Sequence, residues 1–293
     1  MGSWPNLAEL LVERAEAAPV GLLGAPLAAG SVTLGSCDQA PSLLRATLKR
    51  IGRYDVETGR ELQTRVAERG DVDVTGLTIE QATAPLSVAV RESVEAHALT
   101  LFVGGNNSVT RPAVLGIGGA LDEIGLITLD AHFDMRDTRD GLSNGNPVRA
   151  LLEDGLPGAN IAQVGLASFA NSAVMHKDAV DAGNFIVTMG DVRRDGIEQA
   201  IARALDHVAH CDALVIDCDI DVIDRSQMPG APGARPGGMD VADFFAAVRT
   251  LASDPRVRVI DLTEWDPSLD ETDLSALTAA RWVAECLAGF ELR

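Results

Sequence analysis

The stretch GLITLDAHFDMRD, residues 125–137, sets a short apolar run directly against two aspartates and a histidine. The run at 125–129 has strand length and no polar alternation, as expected of a strand buried on both faces of a parallel sheet. Its polar residues begin at the carboxyl end, which is where ligands collect in open α/β sheets. The same arrangement recurs elsewhere. A run at 99–103 leads into GGNNS, one at 213–218 into DID, and one at 257–262 into TEWDP. Further runs at 161–165 and 185–188 add strands, and amphipathic stretches at 86–96, 147–153 and 196–208 read as helices between them. This alternation predicts an α/β protein with a mostly parallel sheet covered on both faces. No linker or repeat interrupts it, so residues 1–293 are read as a single domain. Residues 1–24 are read as an N-terminal helical arm, with a helix over 6–17. The Pro/Gly-rich piece at 228–239 follows a strand and reads as a functional loop.

Composition narrows the function. Of 293 residues, 46% are hydrophobic and only 4% aromatic, so the core must be built mainly from Ala, Val, Leu and Ile. A formal charge of −19 argues against a nucleic-acid or anionic-membrane surface, both of which need clustered Lys and Arg. No apolar run approaches the roughly 20 residues that span a bilayer. Cys37, Cys211, Cys218 and Cys286 form no CxxC pair and no secretory signal is visible, which predicts reduced thiols in a cytoplasmic protein.

In a turning segment Asp130, His132 and Asp134 alternate and face one side, and Asp219 and Asp221 do the same around Ile220. Four carboxylates at one site repel unless neutralised, and two divalent cations balance them in number. A set rich in carboxylate, with one imidazole and no sulfur, favours manganese. Either cluster alone is compatible with a solvated turn; their joint occurrence after separate strands counts against that. Two ions sharing a water make it a nucleophile, so the predicted reaction class is metal-assisted hydrolysis of a small molecule. No GxSxG elbow, Walker loop or well-placed GxGxxG competes.

The segments GSCDQAPSLLRATL, GGNNS, DAHFDMRD, SNGNPVRALLEDG, DCDIDVIDRSQMPGAPGARPGG and TEWDPSLD together resemble the ureohydrolases, which comprise arginases, agmatinases and formimidoylglutamases. The resemblance spans roughly residues 25–290. It implies a three-layer α/β/α, arginase-like fold, a dimanganese centre, hydrolysis of C–N bonds in linear amidines, and a homotrimer or homohexamer. It also implies that Asp130, His132, Asp134, Asp219 and Asp221 are metal ligands, with Asp130 and Asp219 bridging, and that Glu264 binds the substrate's amidine group.

Two departures refine the resemblance. Asn107 stands where the family's GGxHS pattern has a histidine ligand. An amide oxygen is the weaker donor, so one tight Mn2+ site (His132, Asp130, Asp219, Asp221) and one weak site (Asn107, Asp130, Asp134, Asp219) are expected; Asn106 is assigned to supporting the turn. Asn144 replaces the histidine of the arginase HGxP motif, and DAHFDMR is most similar to the formimidoylglutamase wording. The implied reaction is conversion of N-formimino-L-glutamate to L-glutamate and formamide, a step of histidine degradation. In it Asp134 relays a proton, while Arg136, Asn144 and Asn171 contact the rest of the substrate. Arg136 could instead pair with Asp137 or Asp140, and Arg149 is a second cationic candidate. The alternatives are a hydrolase of guanidino compounds such as agmatine or guanidinobutyrate, and a non-catalytic relative with a weakened metal site. His97, His176, His207 and His210 are expected on helix surfaces.

Overall fold

The computed structural model describes residues 4–13 and 17–293. The strands are β1 (Leu11–Val12), β2 (Val20–Ala25), β3 (Tyr54–Asp55), β4 (Arg60–Glu61), β5 (Val66–Asp71), β6 (Leu99–Gly104), β7 (Ile124–Leu129), β8 (Ile161–Leu166), β9 (Phe185–Thr188), β10 (Ala213–Asp219) and β11 (Val257–Thr263). Nine of them form one sheet in the order β1-β5-β2-β6-β11-β10-β7-β8-β9, and β3 and β4 make a separate antiparallel pair. Every pairing in the large sheet is parallel.

The helices are α1 (Ala40–Thr47), α2 (Ile79–Ala96), α3 (Thr110–Ile117), α4 (Pro147–Asp154), α5 (Ala173–Ala182), α6 (Met189–Asp195), α7 (Ile197–His207), α8 (Val241–Ser253) and α9 (Leu274–Phe290). Two apolar cores separate them into layers. Leu44 of α1, Ile201 of α7, Phe244 of α8 and Trp282 of α9 pack on one face of the sheet. Leu86 and Val90 of α2, Val114 of α3 and Leu151 of α4 pack on the other. The three-layer α/β/α architecture follows, because strands β2, β6, β7 and β8 are buried along their whole length and need cover on both faces. No helix among the described residues is long and apolar enough to cross a membrane.

The topology decides where a site can form. Strands β6 and β7 follow one another in the chain but are separated in the sheet by β11 and β10. The loops leaving β6 and β7 therefore diverge, and a crevice opens above the four adjacent carboxyl ends. The glycines of GGNNS serve this geometry: a Cβ on Gly105 would lie 2.2 Å from the carbonyl oxygen of Leu27, because that segment crosses the end of β6.

The N-terminal region departs from expectation. Residues 6–17 do not form a helix: Leu7–Leu10 is a single 3-10 turn and Leu11–Val12 is an edge strand, while residues 14–16 lie outside those described. Residues 20–24, the end of the expected arm, belong instead to β2, an interior strand between β5 and β6. The segment GSCDQAPSLLRATL holds a short 3-10 turn at Cys37–Gln39 that leads into α1. His97 is also corrected. It caps the C-terminus of α2, is buried, and pairs through Nδ1 with the Ala18 carbonyl at 2.8 Å. His176 and His207 do lie on α5 and α7, whereas His210 sits in the turn after α7.

Candidate metal centre and active site

The site is built from the ends of β6, β7, β10 and β11. Asp130 follows β7 and donates its N–H to Val164 of β8, which fixes the exit angle of the chain. Asp219 closes β10 and accepts the N–H of Asp221 at 3.0 Å, capping the turn that presents Asp221. Oxygen and nitrogen donors thereby converge in two overlapping groups, Asp130–His132–Asp221 and Asp130–Asp134–Asp219, with the donor atoms of each within 4.8 Å of one another. Asp130 is common to both. Asp219, expected to bridge as well, joins only the second group.

The charges of this cluster are held in tension. Asp130 Oδ2 is buried with no hydrogen-bond partner. Burial, reinforced by neighbouring carboxylates, drives Asp130 and Asp219 well above the ordinary carboxylate range. Burial also lifts Asp134 to about 7, against the pull of His132 and of a hydrogen bond from Asn107. His132 Nδ1 lies 3.0 Å from Asp221 and 3.5 Å from Asp130. Burial there opposes the charged ring, but the two carboxylates prevail and raise His132 to about 12. Without a cation the cluster must hold protons; divalent ions of the manganese type fit this donor set and would replace them.

Two site residues have unusual backbone angles. Of the three described non-glycine residues with φ in the left-handed region, Asp134 (52°) and Glu264 (58°) lie in the site and Phe169 (64°) is exposed; for the long Glu264 side chain the conformation is an unfavoured one. For Glu264 the conformation is held by its N–H to the Gly105 carbonyl. Its Oε1 accepts the Asn107 N–H at 2.7 Å and the Asn144 amide at 2.9 Å, which leaves Oε2 free. Burial raises Glu264 to about 7, partly offset by those two donors.

Asn107 is oriented differently from a ligand. Its Oδ1 accepts from Thr110 and Thr263, both at 2.9 Å, and its Nδ2 donates to Asp134 at 2.6 Å. The oxygen expected to coordinate thus faces away from the cluster. Asn106 supports the turn: its Oδ1 accepts the Ser108 N–H and its Nδ2 donates to the Ala29 carbonyl.

The cavity above the cluster is lined by His132, Asp134, Arg136, Asn144, Asn171 and Glu264, among others. Arg136 makes no ion pair among the described residues, because Asp137 is taken by Arg139. Arg149 is bound to Asp178 and lies outside the cavity. Asn171 lines the wall, but its amide is engaged on the main chain, accepting from Phe133 at 2.8 Å and donating to Ala131 at 2.9 Å. It clamps the DAHFD segment.

Two residues of the site lie outside the predicted set. Asp217 and Asp261 are register partners on β10 and β11, fully buried behind Asn107. Burial and the Asp261 charge push Asp217 well above the ordinary carboxylate range, while burial lifts Asp261 to about 7. The signal was present, since Asp217 keeps the two-residue phase of Asp219 and Asp221.

With this geometry in place, the relationships of the chain are clear. Residues 18–289 match the model of the Arginase family. The chain belongs to the arginase family. Within that family it is 32% identical to the formimidoylglutamase of Halalkalibacterium halodurans over 278 residues, covering 92% of this chain and 86% of that protein. The crystal structure of formimidoylglutamase from Bacillus subtilis superposes with a TM-score of 0.93 at 29% identity, covering 99% of this chain and 92% of that one. An asparagine-to-histidine variant of Trypanosoma cruzi formiminoglutamase, solved with Mn2+, shares the fold at a TM-score of 0.92 and 23% identity, with full coverage of both chains. Arginase-family membership accounts for the parallel sheet and its helical layers.

Proposed function

We propose that this protein is a manganese-dependent hydrolase that converts N-formimino-L-glutamate to L-glutamate and formamide. The observation that carries the reading is the pair of donor groups sharing Asp130 at the floor of a cavity whose walls carry Glu264 and Arg136. The relatives named formimidoylglutamase support the choice of substrate.

When bound, two Mn2+ ions supply Lewis acidity and activate water for attack on the amidine carbon. The ligands in this reading are Asp130, His132, Asp134, Asp219 and Asp221, and the chain's own residues do the rest. Glu264 accepts an amidinium N–H at its free Oε2, and Asn107 and Asn144 hold the other oxygen in place. Asp134, lining the cavity, receives a proton at its carboxylate and passes it to the departing nitrogen. Arg136 meets a substrate carboxylate. Asn144 lines the same wall, with its Oδ1 anchoring Val32 at 2.8 Å. Asn171 acts by positioning the ligand segment. For Asn107 to ligate, its amide must turn over, and the Thr110 and Thr263 hydroxyls can reverse their roles to allow it. A homotrimeric or homohexameric assembly, a cytoplasmic location and a place in histidine degradation belong to the same proposal.

An amide at position 107, the weaker donor toward manganese, favours a second reading, a chain that binds one ion and does not catalyse. Elemental analysis after manganese loading and desalting, followed by assay on N-formimino-L-glutamate, agmatine and 4-guanidinobutyrate, separates the two. Two ions with formamide release support the proposal. One ion with no turnover on any substrate would establish the second reading, and turnover of a guanidino compound alone would move the substrate.

A further inference from the structure

The structure assigns a second cationic contact to the substrate tail: Arg235, which together with Arg136 makes the cavity a dicarboxylate site. The inference rests on the proposed reaction and adds a residue that decides which substrates qualify. Arg235 lies on the Pro/Gly-rich loop at 228–239 and lines the same cavity as the metal cluster and Glu264. It is exposed at the mouth, as is Arg136.

Neither guanidinium has a carboxylate partner among the described residues, although the chain carries a net charge of −19. Arg235 is held in a particular way. Its Nη1 donates to the carbonyls of Pro232, Gly233 and Ala234 at 3.4, 2.7 and 3.2 Å, which leaves the Nε–Nη2 edge without a hydrogen bond. That edge is the planar pair of donors a carboxylate accepts side-on.

The loop beneath it is tied to its neighbours by hydrogen bonds. Arg225 donates from below to Ala231 and Pro232, Gly230 accepts from Asp266, and the Gly230 N–H donates to Ser275. Gly233 presses so close to the cluster that a Cβ there would meet Asp221 Oδ2 at 1.8 Å. The position of Arg235 is therefore referenced to the metal ligands through the main chain, not through a flexible stem alone. N-formimino-L-glutamate offers an amidinium and two carboxylates. The amidinium belongs over Glu264, and two guanidinium groups at the rim match the two carboxylates in number and sign. A monocarboxylate would leave one arginine without a partner, and a cationic guanidino substrate would leave both.

The test uses the manganese-loaded enzyme and three substrates. These are N-formimino-L-glutamate, N-formimino-4-aminobutyrate, which lacks the α-carboxylate, and N-formimino-2-aminobutyrate, which lacks the γ-carboxylate. Replacing Arg235 by Ala is expected to raise KM for the dicarboxylate about 10- to 100-fold with kcat within a few-fold. KM for one of the two truncated substrates should stay unchanged, and Arg235→Lys should recover part of the loss. Manganese stoichiometry and Tm should not move. Equal effects on all three substrates, or a fall in kcat with KM constant, would overturn the assignment. Absence of N-formimino-L-glutamate turnover in the unsubstituted enzyme would instead remove the reaction on which it rests, a result readily told apart.

Discussion

At the scale of single residues, the site is decided by how each polar atom is committed before any ligand arrives. Glu264 has one oxygen occupied by Asn107 and Asn144 and one free. Glu264→Gln replaces an ionised acceptor by a neutral amide, so kcat/KM should fall about 10- to 100-fold with bound manganese unchanged, read by parallel kinetics and elemental analysis. Asn107→His supplies a better donor, and the weaker of the two sites should tighten about tenfold in a manganese titration. An unaltered titration would mean that residue 107 does not ligate. The convergence of Asp130, His132, Asp134, Asp219 and Asp221 on one sheet edge was legible in the sequence, because their segments follow apolar runs and they alternate with buried neighbours. What was not legible is orientation. Nothing in GGNNS says that the Asn107 oxygen turns toward Thr110 and Thr263, which arrive from other elements. Arg235 was equally hidden, since a lone arginine in a Pro/Gly loop carries no pattern.

At the scale of elements, strands read correctly where they are buried on both faces. The runs ending at Val103, Leu129, Cys218 and Leu262 are mostly apolar, broken only by Thr100, Thr128, Asp217, Arg258 and Asp261, and each is a central strand. Strand β2 has the same character but lay close to the N-terminus and was assigned to an arm. Strand β5, with sequence VAERGD, is half-buried and polar in its second half, so it lacked the apolar signal. Packing between elements makes its own predictions. Gly116 of α3 rests against α2 so closely that a Cβ would come within 2.6 Å of Val90. Gly116→Ala should therefore cost about 1–3 kcal/mol in urea unfolding, with little effect on metal content. Gly233→Ala should behave in the opposite way: its Cβ collides with Asp221, so one manganese should be lost while the unfolding midpoint of the metal-free protein barely changes.

For the whole molecule, the buried acids link folding to pH. Asp134 and Glu264 titrate near 7 in the fold but near 3.8 and 4.5 when unfolded, so between about 4 and 7 the folded state binds the extra protons. Stability of the metal-free protein should therefore fall as pH rises through that window. His132, raised to about 12, acts in the same direction: its contribution is complete below 6.5 and is lost toward 12. Calorimetry of chelator-treated protein should show Tm decreasing from pH 5 to pH 8. The manganese-loaded protein should resist that decrease, because the ions replace the protons; parallel curves for the two forms would contradict this. The register of β10 on β11, with Asp217 opposite Asp261 and Asp219 opposite Thr263, has a further consequence. The spacing from Asp219 to Glu264, which follows β11 directly, is ruled by the hydrogen-bond ladder of two interior strands, whereas Arg136 and Arg235 stand on loops. An engineer seeking a different amidine should leave the ladder untouched and exchange only the rim, treating the reacting end as a fixed socket and the tail-reading end as an interchangeable fitting.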